Sequence, residues 1–153
     1  MELHLRPYRP GDFDALWAID QACYAPGIAY SKRTLRWFLR APGAECLVAE
    51  AGGEIVGFIL AEHDGESAHI ITIDMLAPQR RQGAGTALLE AMEQKLAAHG
   101  VGHIELETAT DNNPAIAFWQ KHGYRTVAVL KRYYLGRLDA YSMHKSLSLP
   151  EES

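Results

Sequence analysis

The stretch Arg80-Arg81-Gln82-Gly83-Ala84-Gly85-Thr86 carries the most explicit chemistry in the chain. Two glycines one residue apart stand where an apolar run ends and a helix-forming segment begins. The first amides of a helix have no intrahelical acceptor. The helix dipole adds roughly half a positive charge at that end. Glycine permits positive φ and close approach of an anion to the backbone. Together these features suit a pair of linked phosphates, and Arg80 and Arg81 add cationic charge at longer range. Two other phosphate motifs do not fit. No lysine followed by Ser or Thr comes after the glycines, as a P-loop requires. Leu88 stands where a dinucleotide fingerprint has its third glycine, and that fingerprint's first-strand context is missing. A plain strand-to-helix turn uses the same glycines, so the motif alone leaves both readings open.

Groups able to move protons are scattered. Glu107 closes the apolar segment Ile104-Glu105-Leu106-Glu107, at the strand end where open α/β sheets bind ligands. Glu105 shares its parity, so a solvated strand-end carboxylate is the plain alternative. Asp74 is a charge inside an apolar strand. Tyr133 and Tyr134 are adjacent near the C-terminus and also read as ordinary strand aromatics. The histidines are His4, His63, His69, His99, His103, His122 and His144. His99 and His103 are separated by Gly100 and do not share a helix face, so surface or structural roles and no metal site are expected. Cys23 and Cys46 read as buried free thiols. Trp17, Trp37, Phe38 and Phe118 read as core.

The elements that must position these groups follow from periodicity and turn signals. Leu3 and Leu5 open a strand that Pro7 ends. Asp12 caps a helix whose apolar face is Phe13, Leu16, Trp17 and Ile19. Ser31 caps a second helix carrying Leu35, Phe38 and Leu39, stopped by Pro42-Gly43. Gly52-Gly53 joins two strands into a hairpin. The run from Ile70 to Leu76 is apolar on both parities, as in a central strand covered on both faces. A helix spans about Gly83 to His99, with Gly100 at its C-terminal boundary. A strand at Ile104–Glu107 and a helix capped by Asn113, with Pro114 at its first position, come next. Thr126 to Leu130 and Ala140 to Leu147 read as two strands. The order is βααβββαβαββ, which predicts a mixed α/β sheet with helices on both faces.

The 153 residues fit one domain, residues 1–153, with a core that needs no disulfide or metal. A net charge of −4 argues against nucleic acid as the main partner. The N-terminus has no signal-peptide core, and no run approaches the ~18 apolar residues of a membrane span. A cytoplasmic location and no membrane partner are therefore expected.

Arg80-x-x-Gly83-x-Gly85, with its strand before and helix after, resembles the acetyl-CoA signature of the GNAT superfamily of N-acetyltransferases. Asn112-Asn113-Pro114-Ala115-Ile116-Ala117-Phe118-Trp119, followed by His122-Gly123-Tyr124, resembles that superfamily's second block. Leu5-Arg6-Pro7 with Gly11-Asp12-Phe13 is similar to its openings. Tyr133-Tyr134 and Asp139-Ala140-Tyr141-Ser142-Met143 look like the endings of the ribosomal-protein alanine acetyltransferases. The resemblance implies a twisted mixed sheet splayed between strands 4 and 5, with acetyl-CoA as cosubstrate in the splay. It implies that Ile73, Asp74 and Met75 offer backbone groups to the pantetheine, that amides from Arg81 to Thr86, Gln82 and Ala84 among them, hold the pyrophosphate, and that Asn112 contacts the cofactor.

The same resemblance makes Glu107 the general base, since an amine must lose its proton before attacking a thioester. Asp74 is the second candidate, or an anchor for the amine, or a residue facing solvent. Trp119 stands where the family commonly has a tyrosine that donates to the departing sulfur. Indole can donate a hydrogen bond but cannot act as an acid. Either the thiolate leaves unaided, or Tyr133 or Tyr134 reaches it or shapes the amine pocket. The expected acceptor is a protein N-terminus. A small amine or antibiotic, or a non-catalytic acyl-CoA sensor, is the alternative, and a homodimer is an open expectation.

Overall fold

A computed structural model describes residues 2–76 and 83–147. Arg80, Arg81 and Gln82 of the glycine-rich turn therefore lie outside the described residues. Within these limits the chain forms β1 (Leu3–Pro7), α1 (Phe13–Cys23), α2 (Lys32–Arg40), β2 (Ala44–Ala51), β3 (Glu54–His63), β4 (Ser67–Met75), α3 (Ala84–Ala98), β5 (His103–Ala109), α4 (Asn113–Lys121), β6 (Arg125–Tyr134) and β7 (Leu138–Ser146). The order matches the one read from the sequence. β6 is longer than expected. A register shift between Leu130 and Tyr134, with Arg132 at φ 54°, carries the strand past Leu130 and brings the tyrosine pair into it.

The described strands make a mixed sheet in the order β1-β2-β3-β4-β5-β7-β6. Neighbours are antiparallel except β4 and β5, which run parallel and pair at Ser67↔His103, Ala68↔Ile104 and His69↔Glu105. Beyond His69 the two strands continue to Met75 and Ala109 without pairing each other, while β5 stays on β7 as far as Ala109↔Ala140. This is the splay between strands 4 and 5.

Helices cover both faces. On one, α3 buries Ala84, Leu88, Leu89, Met92 and Leu96 against Ile59, Ala61, Ile70, Ile104 and Leu106, with Trp119 of α4 in the same cluster. On the other, Phe13, Leu16 and Ile19 of α1 and Leu35 of α2 pack on Val48, Phe58 and Leu60. β3 feeds both layers by strict alternation, Phe58 and Leu60 to one side and Ile59 and Ala61 to the other. Burial of Phe58, Ile59 and Leu60 contributes about 1.5–3 kcal/mol each relative to exposure.

Local signals explain most boundaries. Ser31 Oγ accepts from the Thr34 amide at 3.1 Å and starts α2. Asp12 stands at the boundary of α1, but its carboxylate binds Arg6 at 2.8 and 2.9 Å and the Arg9 amide at 2.8 Å. It thereby ties β1 to α1 instead of capping the helix. The cap of α4 is Asn112, not Asn113, because Asn112 reaches the Ala115 amide three residues on; Pro114 falls second in the helix. Trp37, expected in the core, is 65% exposed. It lies on the outer face of α2 beside Arg33, Arg36 and Arg40, while Leu35 takes the buried position.

Candidate active site

The turn that follows β4 and opens α3 offers backbone groups, described from Gly83 onward. Gly83 immediately precedes α3 in a left-handed conformation, φ 76°, and a side chain there would meet nothing within 4 Å. Its carbonyl accepts from the Ala87 amide at 3.0 Å, so Ala84, Gly85 and Thr86 form the first turn, whose amides lack intrahelical partners. Gly85 faces α4: a Cβ there would lie 3.4 Å from the Phe118 ring, in ordinary van der Waals contact. Thr86 Oγ1 lies 3.1 Å from His122 Nε2 and reinforces that contact. Asn112 opens α4 on the surface. Trp119 is 5% exposed, its ring edge-on to Phe118 and Tyr124 at 5.1 and 5.2 Å.

β4 supplies the edge of the splay. The Leu76 amide donates to the Val56 carbonyl at 2.9 Å. Antiparallel alternation then turns the backbone of Asp74 toward β3 and those of Ile73 and Met75 outward into the splay. The outward carbonyls accept from the α1 side: Ile73 from the Tyr24 hydroxyl at 3.4 Å, Met75 from Cys23 Sγ at 3.3 Å. The carbonyl of Ile71, further back on the strand, accepts from the Tyr30 hydroxyl at 3.5 Å.

Asp74 does not face solvent. It is 1% exposed, beneath α1, where Thr72 Oγ1 donates to Oδ1 and the fully buried Asp20 lies against it. Burial, and then the Asp20 carboxyl, push its pKa well above the usual carboxylate range. Two adjacent buried carboxylates cannot both ionise cheaply, so Asp74 holds its proton to higher pH than an ordinary carboxyl. Asp20 Oδ2 also accepts the Tyr30 amide at 2.7 Å. The pair therefore fastens the loop after α1 to β4.

The open side of the splay carries a cluster of titratable side chains. Glu107 Oε1 lies 2.7 Å from His69 Nε2 and accepts the Tyr133 hydroxyl at 3.2 Å. The Glu107 side chain keeps 17% exposure and that of His69 31%. The hydrogen bond to Glu107 raises the His69 pKa against the opposing effect of burial. Burial and the Glu107 charge push Tyr133 up to about 12, so it stays a neutral donor. Tyr134 stacks edge-on against Tyr133 at 4.9 Å. Three strands thus meet at one carboxylate, with a phenol and an imidazole in contact with it.

His69 is the member that sequence reading passed over. One strand's histidine and another's glutamate become neighbours only through the parallel register His69↔Glu105, which places Glu107 two residues further on the same face. The other histidines separate in a similar way. His99 joins His63 and Glu45, and His103 joins His144 and Glu105. In the first group Lys95 already pairs with Glu45 at 3.4 Å.

Residues 13–124 match the acetyltransferase (GNAT) family. An N-alpha-acetyltransferase of Sulfurisphaera tokodaii is 34% identical over 113 residues, 65% of this chain and 68% of the relative. An N-acetyltransferase of Methanocaldococcus jannaschii is 31% identical over 143 residues, 92% of this chain and 90% of the relative. In fold, the chain is similar to the crystal structure of the ribosomal-protein-S18-alanine N-acetyltransferase from Escherichia coli, with a TM-score of 0.89 at 24% identity over 99% of this chain and 98% of that one. It is also similar to Ard1 from Thermoplasma volcanium, with a TM-score of 0.88 at 25% identity over 97% and 99%.

Proposed function

The chain belongs to the acetyltransferase (GNAT) family, and on that premise we propose that it acetylates the α-amino group of a protein N-terminus, with Glu107 as general base. The observation that carries this reading is the Glu107 carboxylate, held by His69 and Tyr133 at the open side of the β4–β5 splay. The relatives named N-alpha-acetyltransferase support the choice of acceptor.

The residues fit the cosubstrate. Acetyl-CoA supplies the acyl thioester. The space around Gly83 and the first-turn amides of α3 suit the pyrophosphate, with Arg80, Arg81 and Gln82, just before Gly83 in the sequence, as further partners. The outward backbone of Ile73 and Met75 suits the pantetheine amides, in the manner of an added strand. Asp74 contributes by fixing β4 to α1, since its own backbone faces β3. Asn112 lies at the start of α4, and Trp119 supports the site from within the core.

An N-terminal ammonium has an ordinary pKa near 8 and is largely protonated at neutral pH. Glu107 takes that proton, and the neutral amine becomes the nucleophile. Tyr133 is committed to Glu107 and does not serve the sulfur. A thiol with a pKa near 8.5 gives a fair leaving group without a phenolic acid. Tyr30 and Tyr134 wall the amine pocket, their pKa values raised mainly by burial.

Incubation of the protein with acetyl-CoA and a panel of N-terminal peptides, polyamines and aminoglycosides, followed by thiol release, tests the reading. Turnover is expected with peptides. Release confined to polyamines or aminoglycosides would overturn the acceptor, and binding of acetyl-CoA without release in any arm would overturn the role given to Glu107.

A further inference from the structure

We propose that His69 is a positioning residue for Glu107: it occupies Oε1 so that Oε2 faces the amine, and its charge state decides when the carboxylate accepts a proton. The inference rests on Glu107 being the base.

The geometry is asymmetric. Oε1 accepts from both His69 Nε2, at 2.7 Å, and the Tyr133 hydroxyl, at 3.2 Å. Among the described residues no side chain or amide bonds Oε2. A carboxylate with one oxygen saturated by two donors presents the other as its proton acceptor. His69 is well suited to hold it, because it stands at the last paired position of the parallel β4–β5 ladder. The strands separate just beyond it, so its Cα is fixed where the site begins to open.

The charge of His69 has a direct effect. The groups that act on it are Glu107 and Glu105 from β5 and Glu62 from β3, its cross-strand partner. Glu105 is itself 3.6 Å from His144 of β7, and Tyr133 of β6 reaches His69 through Glu107. The acidic neighbours favour the imidazolium, which keeps its proton above the ordinary value of 6.5. While charged, it weakens Glu107 as a base and repels a cationic amine. Once neutral it can still donate through Nε2–H, and both penalties vanish. Acetyl transfer should therefore rise with pH as His69 deprotonates, in addition to the rise from the amine itself.

The test compares wild type, His69→Ala, His69→Gln and Glu107→Gln with one N-terminal peptide and acetyl-CoA, following kcat, both KM values and the pH profile of kcat. Using the same peptide makes the amine titration common to all. His69→Ala should lower kcat roughly 10- to 100-fold, as loss of orientation does, with KM for acetyl-CoA unchanged. His69→Gln keeps a donor without the charge. It should recover most of that loss at alkaline pH, and its acidic limb should move to lower pH. A His69→Ala enzyme with wild-type kcat and profile would overturn the inference. So would a His69→Gln enzyme as slow as His69→Ala with the wild-type limb intact. If these results come with an inactive Glu107→Gln enzyme, the base reading survives alone; an active Glu107→Gln enzyme removes both.

Discussion

The two ends of the splay are made of different materials. The end proposed for the phosphates is backbone: a left-handed glycine and the first amides of α3, supplied by consecutive residues. The end proposed for the acceptor is side chain: His69 from β4, Glu107 from β5 and Tyr133 from β6, which meet only when the sheet forms. Contiguous backbone chemistry is robust to the identity of most neighbouring side chains but sensitive to a Cβ at Gly83. Assembled side-chain chemistry is sensitive to each member and to the register of three strands. The first end should therefore govern affinity for the cosubstrate, and the second the rate of transfer.

Perturbing each end separately checks that division. The largest effect belongs to Glu107→Gln, which should lower kcat by about 100-fold or more, the usual contribution of a positioned base, while acetyl-CoA affinity, read by calorimetry, stays at the wild-type value. Gly83→Val should do the reverse. A β-branched residue at φ 76° costs about 1–3 kcal/mol of local strain, and acetyl-CoA should bind roughly 10-fold more weakly with kcat nearly preserved. Equal losses in both parameters for either variant would erase the distinction between the ends.

Tyr133→Phe removes one of two donors to Glu107 Oε1. A hydrogen bond to a charged group is worth about 1.5–3 kcal/mol, reduced here because Tyr133 is 48% exposed. A several-fold fall in kcat, with no change in acetyl-CoA binding, is the expected steady-state result. A wild-type rate would mean that the tyrosine only lines the pocket.

Asp74→Asn should leave both kinetic constants close to wild type and act on stability. The folded-state pKa of Asp74 is raised. Its contribution is thus fully present below the unfolded value of 3.8 and is lost as pH rises toward the folded one. The variant has no proton to lose, so in thermal melts across pH its stability relative to wild type should improve steadily from acid to neutral. A relative decline over the same range would show that folding does not raise the Asp74 pKa.

The same division governs what could be read in the sequence. Ser31, Gly83 and the strand-helix order were legible because a cap, a turn or a period is a property of neighbouring residues. The splay between strands 4 and 5 followed from family resemblance and is seen in the β4–β5 pairing, which the structure makes parallel. Asn112 was displaced by one position because two adjacent asparagines offer the same signal, and only the reach to Ala115 separates them. Trp37 was misplaced because Leu35 already fills the buried stripe of a short helix. His69 and the Asp20–Asp74 pair were invisible, since both depend on contacts between elements far apart in the chain.

The most direct test of the central claim is the single-turnover rate of acetyl transfer to an N-terminal peptide by Glu107→Gln preloaded with acetyl-CoA. Preloading removes the phosphate end from the comparison, leaving the chemistry at the open side of the splay. A rate about 100-fold or more below wild type is expected; a rate equal to wild type would contradict the account.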